Sequence, residues 1–566
     1  MDIITAAMII PGGALLGIII LTFLHYHLRN ISVPHINFRH SKFFARKYVY
    51  RPLHRYLQSV GIATPLYLIG LLSILAVNVT VLAISEGRVV LIKRSGEAVL
   101  INLILILVCG RPNVFSEHVQ VSQQFKNFTH RWLSIVAMAE CAVHLTAALS
   151  SIRPGTHPFA SATGIAGLTA AISMAVLGVS SLPFVRRHAY ELFLNIHISL
   201  TVIIIAAIFL HLDPFDFSQP SIILLIIAGS LCALLIATRI GISLCNRAKV
   251  IIFEENGLLK AKITLARPRK VCGGQYIFLR VPSTSALSIN ESHPFFIASW
   301  DQDEKKKDKA RNVTALIQRR EGFTRLLRAQ PMAAQPTAVR AFVEGPYGES
   351  LSAEDYGNVI LFASGIGVAA HLGCIKQLLN ARGQGPTRTQ VISLLWEVDE
   401  IKPWDAAITM VHELLNQDAD RCDREGPNWI EARSRFVFQY TMFVRYHPRA
   451  EESRISRSGR QRWNFKAMDA EQELTNLKLQ GRRTLISVCA NRGMTDVIRS
   501  AYLKTLEVEE EEAGREEVVL HTYDFHPEEF RVPEGLRVPE ELRVPTVDPP
   551  GGLRPKSLRS ESAVVQ

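Results

Sequence analysis

This sequence is poor in charged residues: Asp, Glu, Lys and Arg make up 20% of its 566 residues, whereas hydrophobic residues make up 48%. With a mean hydropathy of +0.16, the composition argues against an ordinary soluble enzyme. Long apolar runs are in turn absent after Asn246, so the chain does not lie wholly in a membrane. We therefore predict a multi-domain membrane protein whose last 320 residues are soluble.

The chain also lacks cysteine motifs. Its eight cysteines form no CxxC pair, and most lie in apolar segments or in the soluble half, so neither a zinc site nor a disulfide framework is indicated. The net charge of +12 is compatible with nucleic-acid binding, but no nucleic-acid reading motif accompanies it. The basic surplus lies beside apolar segments and in a soluble insertion, and nucleic acid is not expected as a partner.

Seven apolar segments are long enough to cross about 30 Å of hydrocarbon. They are residues 3–24, 61–84, 98–109 with their flanks, 132–150, 162–182, 192–210 and 222–242, the third being the weakest. Residues 1–245 are thus predicted to form an all-α bundle of seven spans in a lipid bilayer.

The charges between the spans predict the orientation of the bundle in the membrane. Residues 25–59 hold seven Lys or Arg and no acid, which places this loop in the cytoplasm and the N-terminus outside. Seven spans then leave the soluble half in the cytoplasm. Arg88, Lys93 and Arg94 fall in a predicted outer loop and do not fit this rule. The first segment has no basic region before it, which favours an uncleaved anchor over a signal peptide.

Two pairs of histidines lie within these spans, each pair fourteen residues apart: His130 and His144, then His197 and His211. Fourteen residues make nearly four helical turns and about 21 Å, so both rings of a pair leave the same face. The fourth and sixth spans are predicted to run in the same direction, so His130 meets His197 and His144 meets His211.

Imidazole at both axial positions suits a haem used for electron transfer. A lone histidine on an apolar helix is more often a packing residue. Four at one repeated spacing favour ligands, because ionisable side chains at membrane depth usually mark function. The spacing therefore predicts two haem sites at two depths of the bilayer.

The soluble half begins with short alternating strands at 250–253, 258–265 and 273–282, punctuated by Gly and Pro, which predict a small antiparallel β-barrel at 246–350. From Asn358 an apolar strand runs into Gly365-Ile-Gly367 and then a helix. Such a turn lets backbone N–H groups approach a pyrophosphate, although the third glycine of the dinucleotide fingerprint is absent. Further strands at 391–396, 436–444 and 485–491 predict a Rossmann-like α/β domain at 351–525.

Two stretches are atypical. Residues 449–483 are polar and charged and lie between two predicted strands, so we expect a solvated insertion, with regulation as an alternative role. Residues 526–566 repeat Arg-Val-Pro at six-residue spacing, and proline at that frequency predicts a disordered tail.

At about residues 60–525 the chain resembles the fungal ferric reductase transmembrane component, within the group that includes NADPH oxidases. The resemblance is carried by His130-Arg-Trp with His144, by the stretch 186–197 with His211, and by His293-Pro-Phe. It implies a ferredoxin-reductase-like module after the bundle, two b-type haems, FAD and NADPH. The haem ligands it implies are His130, His144, His197 and His211. The FAD contacts it implies are Gln275, Tyr276, His293, Pro294, Phe295 and Ser299, and the NADPH contacts are Gly345, Gly365, Gly367 and Cys489.

Some positions depart from the family pattern. Phe296 stands where Thr is common, Ser364 where a second Gly is frequent, and Cys489-Ala-Asn where Cys-Gly-Pro is usual. The family tends to end at an aromatic residue that stacks on the flavin, and Phe525 is the candidate here.

The resemblance implies a plasma-membrane enzyme that passes electrons from cytoplasmic NADPH to extracellular ferric or cupric chelates, with a multicopper oxidase and permease uptake system as partner. A flavin is needed because NADPH gives two electrons at once and a haem takes one. Two alternatives stay open: a superoxide-generating oxidase, and a haem protein without NADPH turnover. Asp213 and Asp216 either hold a metal cation or only anchor a span end. Arg131 and Arg187 either pair with haem propionates or follow the positive-inside rule.

Overall fold

The computed structural model describes most of the chain between residues 64 and 527. The described residues are 53, 57, 61–62, 64–110, 123–152, 160–212, 219–282, 292–303, 308–320, 323–331, 337–348, 350–382, 388–424, 436–446, 453–476, 482–511, 518–523, 525 and 527. The predicted first span at 3–24 and nearly all of the predicted tail at 526–566 lie outside them.

The described part of the N-terminal half is helical. Its helices are α1 (Pro65–Ala83), α2 (Arg88–Val108), α3 (Gln123–Leu149), α4 (Ala162–Ser180), α5 (Pro183–His188), α6 (Tyr190–His211) and α7 (Pro220–Cys245). Prolines in the first turn begin α1 and α7, where the missing N–H is harmless. Ser161 caps α4 by accepting a hydrogen bond from the Gly164 N–H at 3.1 Å.

Five of these helices are long and apolar enough to cross a membrane: α1, α4 and the greater parts of α3, α6 and α7. The predicted third span corresponds to α2, which falls outside that set because charged residues occupy its first half. It nevertheless packs along α3. Among the described residues, the structure therefore supports five of the seven predicted spans, with α2 as a further helix of the bundle.

The basic residues of α2 that did not fit the positive-inside rule have structural partners. Arg94 Nη1 donates to the Ile84 carbonyl at 2.7 Å, and Arg88 Nη1 donates to the Ser150 carbonyl at 3.2 Å. Both carbonyls lie just beyond the C-terminal ends of α1 and α3. Cations are favoured at such ends, because the last carbonyls of a helix lack partners and carry partial negative charge.

An antiparallel β-barrel follows the bundle. Its strands are β1 (Arg247–Glu255), β2 (Leu258–Arg269), β3 (Tyr276–Arg280), β4 (His293–Gln302), β5 (Ala310–Gln318) and β7 (Val339–Tyr347), with a two-residue strand β6 (Gln330–Pro331) beside β1. The order β1-β2-β5-β4-β3-β7 closes because β1 pairs with both β2 and β7. Alternate residues such as Val250, Ile263 and Leu279 are fully buried and fill the interior. Helix α8 (Phe323–Leu326) precedes β6.

The last domain is a twisted sheet between helices. Its strands are β8 (Asn358–Ser364), β9 (Val391–Val398), β10 (Phe438–Val444), β11 (Ser453–Ile455), β12 (Gln461–Asn464), β13 (Thr484–Cys489) and β14 (Val518–Thr522). Its main helices are α9 (Val368–Arg382), α10 (Asp405–Arg424), α11 (Ala470–Asn476) and α12 (Arg492–Glu511). The strand order is β11-β12-β10-β9-β8-β13-β14. Successive strands are added on one side of β8 as far as β12, and β13 and β14 are then added on its other side, so the strand order reverses between β8 and β13. All neighbouring strands are parallel except β11 and β12. Nucleotides bind at such a reversal in doubly wound folds.

The segment predicted as a solvated insertion at 449–483 contains two short strands in its described part, and all three residues of one of them, β11, are exposed. β12 extends the parallel sheet beside β10, and β11 forms the antiparallel edge. Arg460, eleven per cent exposed, forms an ion pair with the buried Asp418 carboxylate at 2.6 Å. Asp418 also accepts the backbone N–H groups of Val437 and Phe438. The segment looks loop-like in sequence because its strands are only three and four residues long.

A single residue joins the bundle to the barrel. Helix α7 ends at Cys245 and β1 begins at Arg247. The intervening Asn246 accepts at its side-chain oxygen from Arg269 Nη2 at 2.5 Å, and its carbonyl accepts from the Val343 N–H at 3.2 Å. These bonds tie the end of α7 to strands β2 and β7.

Candidate functional site

The four span histidines meet in the two predicted pairs. The ring centroids of His130 and His197 are 6.1 Å apart, and those of His144 and His211 are 6.3 Å apart. His130 and His144 lie on α3, and their partners lie on α6. The two helices therefore run in the same direction, as the sequence predicted.

These separations fit a metal bound between two rings. An iron atom held at about 2 Å by the Nε2 atom of each ring separates the two ring centroids by about 6 Å. The planes of the paired rings are inclined at 47° and 83°. Both angles are acceptable, because each plane contains the metal–nitrogen axis and can rotate about it. The residues present thus fit an iron porphyrin at each level.

Backbone carbonyls orient three of the four rings. The Nδ1 atom of His130 lies 3.1 Å from the Ile106 carbonyl oxygen, that of His144 lies 2.9 Å from Ile92, and that of His211 lies 2.9 Å from Thr163. A ring that donates from Nδ1 keeps the lone pair on Nε2, the tautomer a metal needs. Within the described residues, the buried Nδ1 of His197 has no such partner.

Two glycines let neighbouring helices approach these rings. A Cβ atom on Gly167 of α4 would lie 2.6 Å from His211 Nδ1, and one on Gly96 of α2 would lie 3.4 Å from the His144 ring. The first distance is shorter than any ordinary contact, so a side chain at 167 would displace His211. The sequence gives only a weak signal for these positions, since glycines are common in membrane helices.

The predicted FAD residues lie on two neighbouring strands of the barrel. Gln275 and Tyr276 are at the start of β3, and the His293-Pro-Phe segment is at the start of β4, with Phe278 opposite Pro294 and Tyr276 opposite Phe296. His293 stacks on the buried Phe323 ring at 4.4 Å. The structure therefore brings the two predicted groups onto paired antiparallel strands, with Tyr276 opposite Phe296 at one end of the ladder and His293 opposite Leu279 at the other.

Two of these side chains have structural partners. Gln275 bridges its own loop, since its Oε1 accepts from the Cys272 N–H at 2.8 Å and its Nε2 donates to the Gly348 carbonyl at 3.1 Å. Ser299 Oγ accepts from Lys376 Nζ at 2.8 Å, and the same ammonium donates to the Trp300 carbonyl. Burial lowers the pKa of Lys376, although Asp301 and Glu413 oppose that shift. Lys376 gave no sequence signal, because nothing in a helix sequence shows that it faces a distant strand.

Aromatic rings surround the end of the β3–β4 pair at which Tyr276 lies opposite Phe296. The ring centroid of Phe296 lies 5.2 Å from that of Tyr523 and 5.9 Å from that of Phe525, and both contacts are edge-on. The ring centroids of Tyr276 and Tyr347 are 6.2 Å apart. Phe525, the candidate terminal aromatic, is 37% exposed and therefore accessible to a ligand. Phe296, which replaces the usual Thr, thus packs against the C-terminal aromatic residues.

Gly345, predicted as an NADPH contact, lies inside the range 246–350 predicted for the barrel. It is in β7, with a φ of +112°, and a Cβ there would meet the Tyr276 carbonyl at 3.1 Å. It belongs with the barrel residues rather than with the glycine turn.

The other predicted NADPH residues meet at the reversal between β8 and β13. A Cβ on Gly367 would lie 1.9 Å from the Cys489 carbonyl oxygen, and Gly365 has a φ of +50°. Ser364 Oγ accepts from the Asn491 N–H at 2.8 Å, so the residue that replaces the usual second glycine links the two strand ends. Burial raises the pKa of the Cys489 thiol. This backbone turn, followed at once by α9, is a geometry that accepts anionic phosphate groups.

Some predicted contacts lie outside the described residues. They are Asp213 and Asp216, with the side chain of Arg187. Arg131 is described: its guanidinium lies 6.0 Å from the Trp132 ring centroid.

Comparisons with known proteins agree with this arrangement. Residues 95–208 match the family model of the ferric reductase like transmembrane component, and residues 244–351 match that of an FAD-binding domain. A probable cell surface ferric reductase, kap2, from Aspergillus oryzae is 25% identical over 52% of this chain and 41% of its own length. Ferric reductase transmembrane component 1 from Schizosaccharomyces pombe is 24% identical over 54% of this chain and 58% of its own length.

A solved ferredoxin NADP+ reductase from Neisseria gonorrhoeae with bound FAD and NADP covers 49% of this chain and 97% of its own, at 13% identity and a TM-score of 0.30. The chain spans about half the length of the curated relatives it matches. The resemblance seen in the histidine pairs and the His293-Pro-Phe segment is confirmed by the two family matches. Residues 95–208 are therefore similar to the ferric reductase like transmembrane component, and a segment similar to an FAD-binding domain follows them in the same chain.

Proposed function

We propose that this protein is a transmembrane metalloreductase that passes electrons from cytoplasmic NADPH, through FAD and two haems, to ferric or cupric chelates outside the plasma membrane. The observation that carries the proposal is the spacing of the two histidine pairs, 6.1 and 6.3 Å between ring centroids. Relatives named ferric reductase and ferric/cupric reductase support the choice of acceptor.

The proposed relay assigns each group of residues a task. His130 and His197 hold the haem nearer the soluble domains, and His144 and His211 hold the farther one. When bound, FAD takes two electrons from the nicotinamide together and releases them singly, and haem iron carries one electron. Because each pair would supply two imidazoles to a bound haem, His144 and His211 would leave no ligand position for substrate, and the acceptor would be reduced beside the outer pair.

The position of the barrel supports this order. Eight residues separate α6 from α7, so α7 begins near His211 and returns toward the end of α6 that carries His197. The barrel starts immediately after α7. The barrel that carries the residues proposed for FAD thus follows the end of the bundle nearer the inner pair.

The last domain carries the residues proposed to bind NADPH. Gly365, Gly367 and the end of β13 at Cys489 are proposed to hold NADPH, and we propose domain boundaries at 245, 350 and 525. The hydrogen bond from Asn491 to Ser364 supports a working site, because it shows that the altered turn is closed by its own side chain. A multicopper oxidase and permease system is proposed as the downstream partner.

One experiment tests the proposal. Detergent-purified protein supplied with haem and FAD is mixed with NADPH under argon and then with ferric citrate. We expect two b-type haems per chain, reduced by NADPH and reoxidised by the chelate. A preparation without a Soret band contradicts the proposal. Haem that NADPH leaves oxidised supports a protein without turnover, and reoxidation by oxygen with release of superoxide, but not by the chelate, supports an oxidase.

A further inference from the structure

A polar chain crosses the interior of the bundle beside the histidine pairs. Glu140 of α3 accepts at Oε2 from Asn102 Nδ2 of α2 at 2.8 Å, and Asn102 Nδ2 also donates to Asn78 Oδ1 of α1 at 3.0 Å. Glu140 and Asn102 are each only 2% exposed. Asn78 is itself anchored to the Ile74 carbonyl at 2.8 Å. Three helices thus contribute to one buried carboxyl site.

Among the described residues, the hydrogen-bond partner of the Glu140 carboxylate is the Asn102 amide rather than a cation. Within the described residues its second oxygen, Oε1, is buried and has no hydrogen-bond partner. A buried carboxylate without a cation is costly, and in membranes such residues mark pathways for protons or ions. The protonated carboxyl has one more donor and no charge, so it suits this site when no positive charge is near.

The ionisable groups on the packed helices define what else could respond to pH. Helix α1 contributes only Tyr67, and α7 contributes Cys232, Arg239 and Cys245. Those on α2 and α3 are Arg88, Lys93, Arg94, Glu97, Lys126, His130, Arg131, Cys141 and His144. Of these, Glu97 is the other carboxyl, and one of its oxygens is also buried without a partner among the described residues.

Position along α3 relates Glu140 to the outer site. It is four residues before His144, about 6 Å along the helix axis, and ten residues after His130, about 15 Å. Its hydrogen bonds lead toward α2 and α1 rather than toward the histidine rings. It therefore lies within electrostatic range of a metal held by His144, while the hydrogen bond of its carboxylate goes to Asn102 rather than to a histidine ring.

We propose that Glu140 binds one proton when the haem at the His144–His211 pair is reduced, which makes that electron transfer proton-coupled. This inference rests on the proposed function, since it requires haem in the bundle. A ferric porphyrin with two neutral imidazoles carries one net positive charge, and the ferrous form carries none. Loss of that charge in a medium of low dielectric constant removes what favoured the carboxylate.

The step balances without a further reactant. Ferric iron gains one electron from the reduced flavin through the inner site, the Glu140 carboxylate gains one proton from the aqueous phase, and no bond to iron changes. Oxidation by the external acceptor reverses both events. The bundle interior thus keeps the same net charge through each turnover.

Redox titration of the haem-loaded full-length protein at several pH values tests this. One proton per electron changes the redox equilibrium up to tenfold per pH unit, or about 59 mV. The midpoint of the His144–His211 haem is expected to fall with rising pH, with a smaller slope for the His130–His197 haem. Glu140→Gln should flatten the slope, because Gln still accepts from Asn102 but binds no proton. Glu97→Gln is the matched control and should keep it.

Infrared difference spectra of the wild-type protein give a second measure that needs no variant. Reduced-minus-oxidised spectra should contain a positive protonated-carboxyl band that shifts in heavy water. A pH-independent midpoint, a slope that Glu97→Gln abolishes and Glu140→Gln keeps, or the absence of that band overturns the inference. If two haems bind and reduce normally, these results leave the proposed function intact; if no haem binds, the proposed function itself fails.

Discussion

The bundle and the nucleotide domain build their candidate sites in opposite ways. In the bundle, one helix period sets both ligand levels, so His130 and His144 are placed by their spacing alone and their partners on α6 repeat it. In the nucleotide domain, Gly365 and Cys489 are 124 positions apart and meet only because β8 and β13 are neighbours in the sheet. A site made by periodicity tolerates change elsewhere in the chain, whereas a site made by topology depends on the packing of the whole sheet.

The largest effect is expected from the ligands. His130→Ala or His197→Ala should each remove the same haem, and His144→Ala or His211→Ala the other, lowering haem from about two to about one per chain and chelate reduction by more than about 100-fold. Pyridine haemochrome assays measure the content. His412→Ala, a soluble-domain histidine bonded to Tyr440, is the control and should keep both. Loss of both haems from every single variant would show that the pairs are not independent sites.

Gly367→Ala tests the topological site. Its new methyl group would meet the Cys489 carbonyl oxygen at 1.9 Å, and the next neighbour is the Pro527 ring at 3.1 Å, so no flexible side chain can yield. We expect a loss of about 3 kcal/mol in the stability of the nucleotide domain and loss of NADPH-driven flavin reduction, with haem content unchanged. Gly241→Ala, where the added atom has nothing within 4 Å, is the control. Normal flavin reduction in Gly367→Ala contradicts the proposed nucleotide turn.

Acid should weaken the nucleotide domain through His371. Burial lowers the pKa of this fully buried histidine from 6.5 to about 4. The unfolded chain therefore binds more protons than the folded one between these values, so stability falls by about 3 kcal/mol as the pH falls from 6.5 to 4. Urea unfolding followed by Trp396 and Trp404 fluorescence measures it.

The matched variant for that titration is His371→Gln, whose amide can still donate to the Phe362 carbonyl that the histidine contacts at 3.0 Å. It should remove most of the slope, whereas His412→Gln, a partly buried histidine, should keep most of it. An equal slope in wild type and His371→Gln would assign the acid sensitivity to other groups.

The smallest effect concerns the contact between α4 and the outer pair. Gly167→Ala places a methyl group 2.6 Å from His211 Nδ1, so the ring must shift and lose its bond to Thr163. We expect retained haem with an altered outer midpoint potential and about 1–2 kcal/mol lower stability. Gly178→Ala, where the near atom is the flexible end of Met138, should leave the potential unchanged. A change in the inner haem alone would show that the pairs are wrongly assigned.

The same contrast explains what the sequence could predict. The histidine pairs, the barrel and the glycine turn follow from local patterns, and the structure contains all three. The predicted barrel range 246–350 already included Gly345, which lies in β7. The β11 and β12 strands were missed because short, charged edge strands look like loops. Glu140 was missed because its importance depends on Asn102 and Asn78, which lie 38 and 62 positions away in sequence but beside it in the bundle.

Because Asn246 alone connects α7 to β1, the end of the helix sets the rotation of the barrel relative to the bundle. Each residue added to α7 would turn the barrel by about 100° and lift it by about 1.5 Å, which changes the side of the barrel that faces the bundle. Insertions or deletions at this joint are therefore expected to be tolerated only in steps of a whole helical turn. Chimaeras that exchange reductase modules should be cut at Asn246 itself, where the register of helix and strand is preserved.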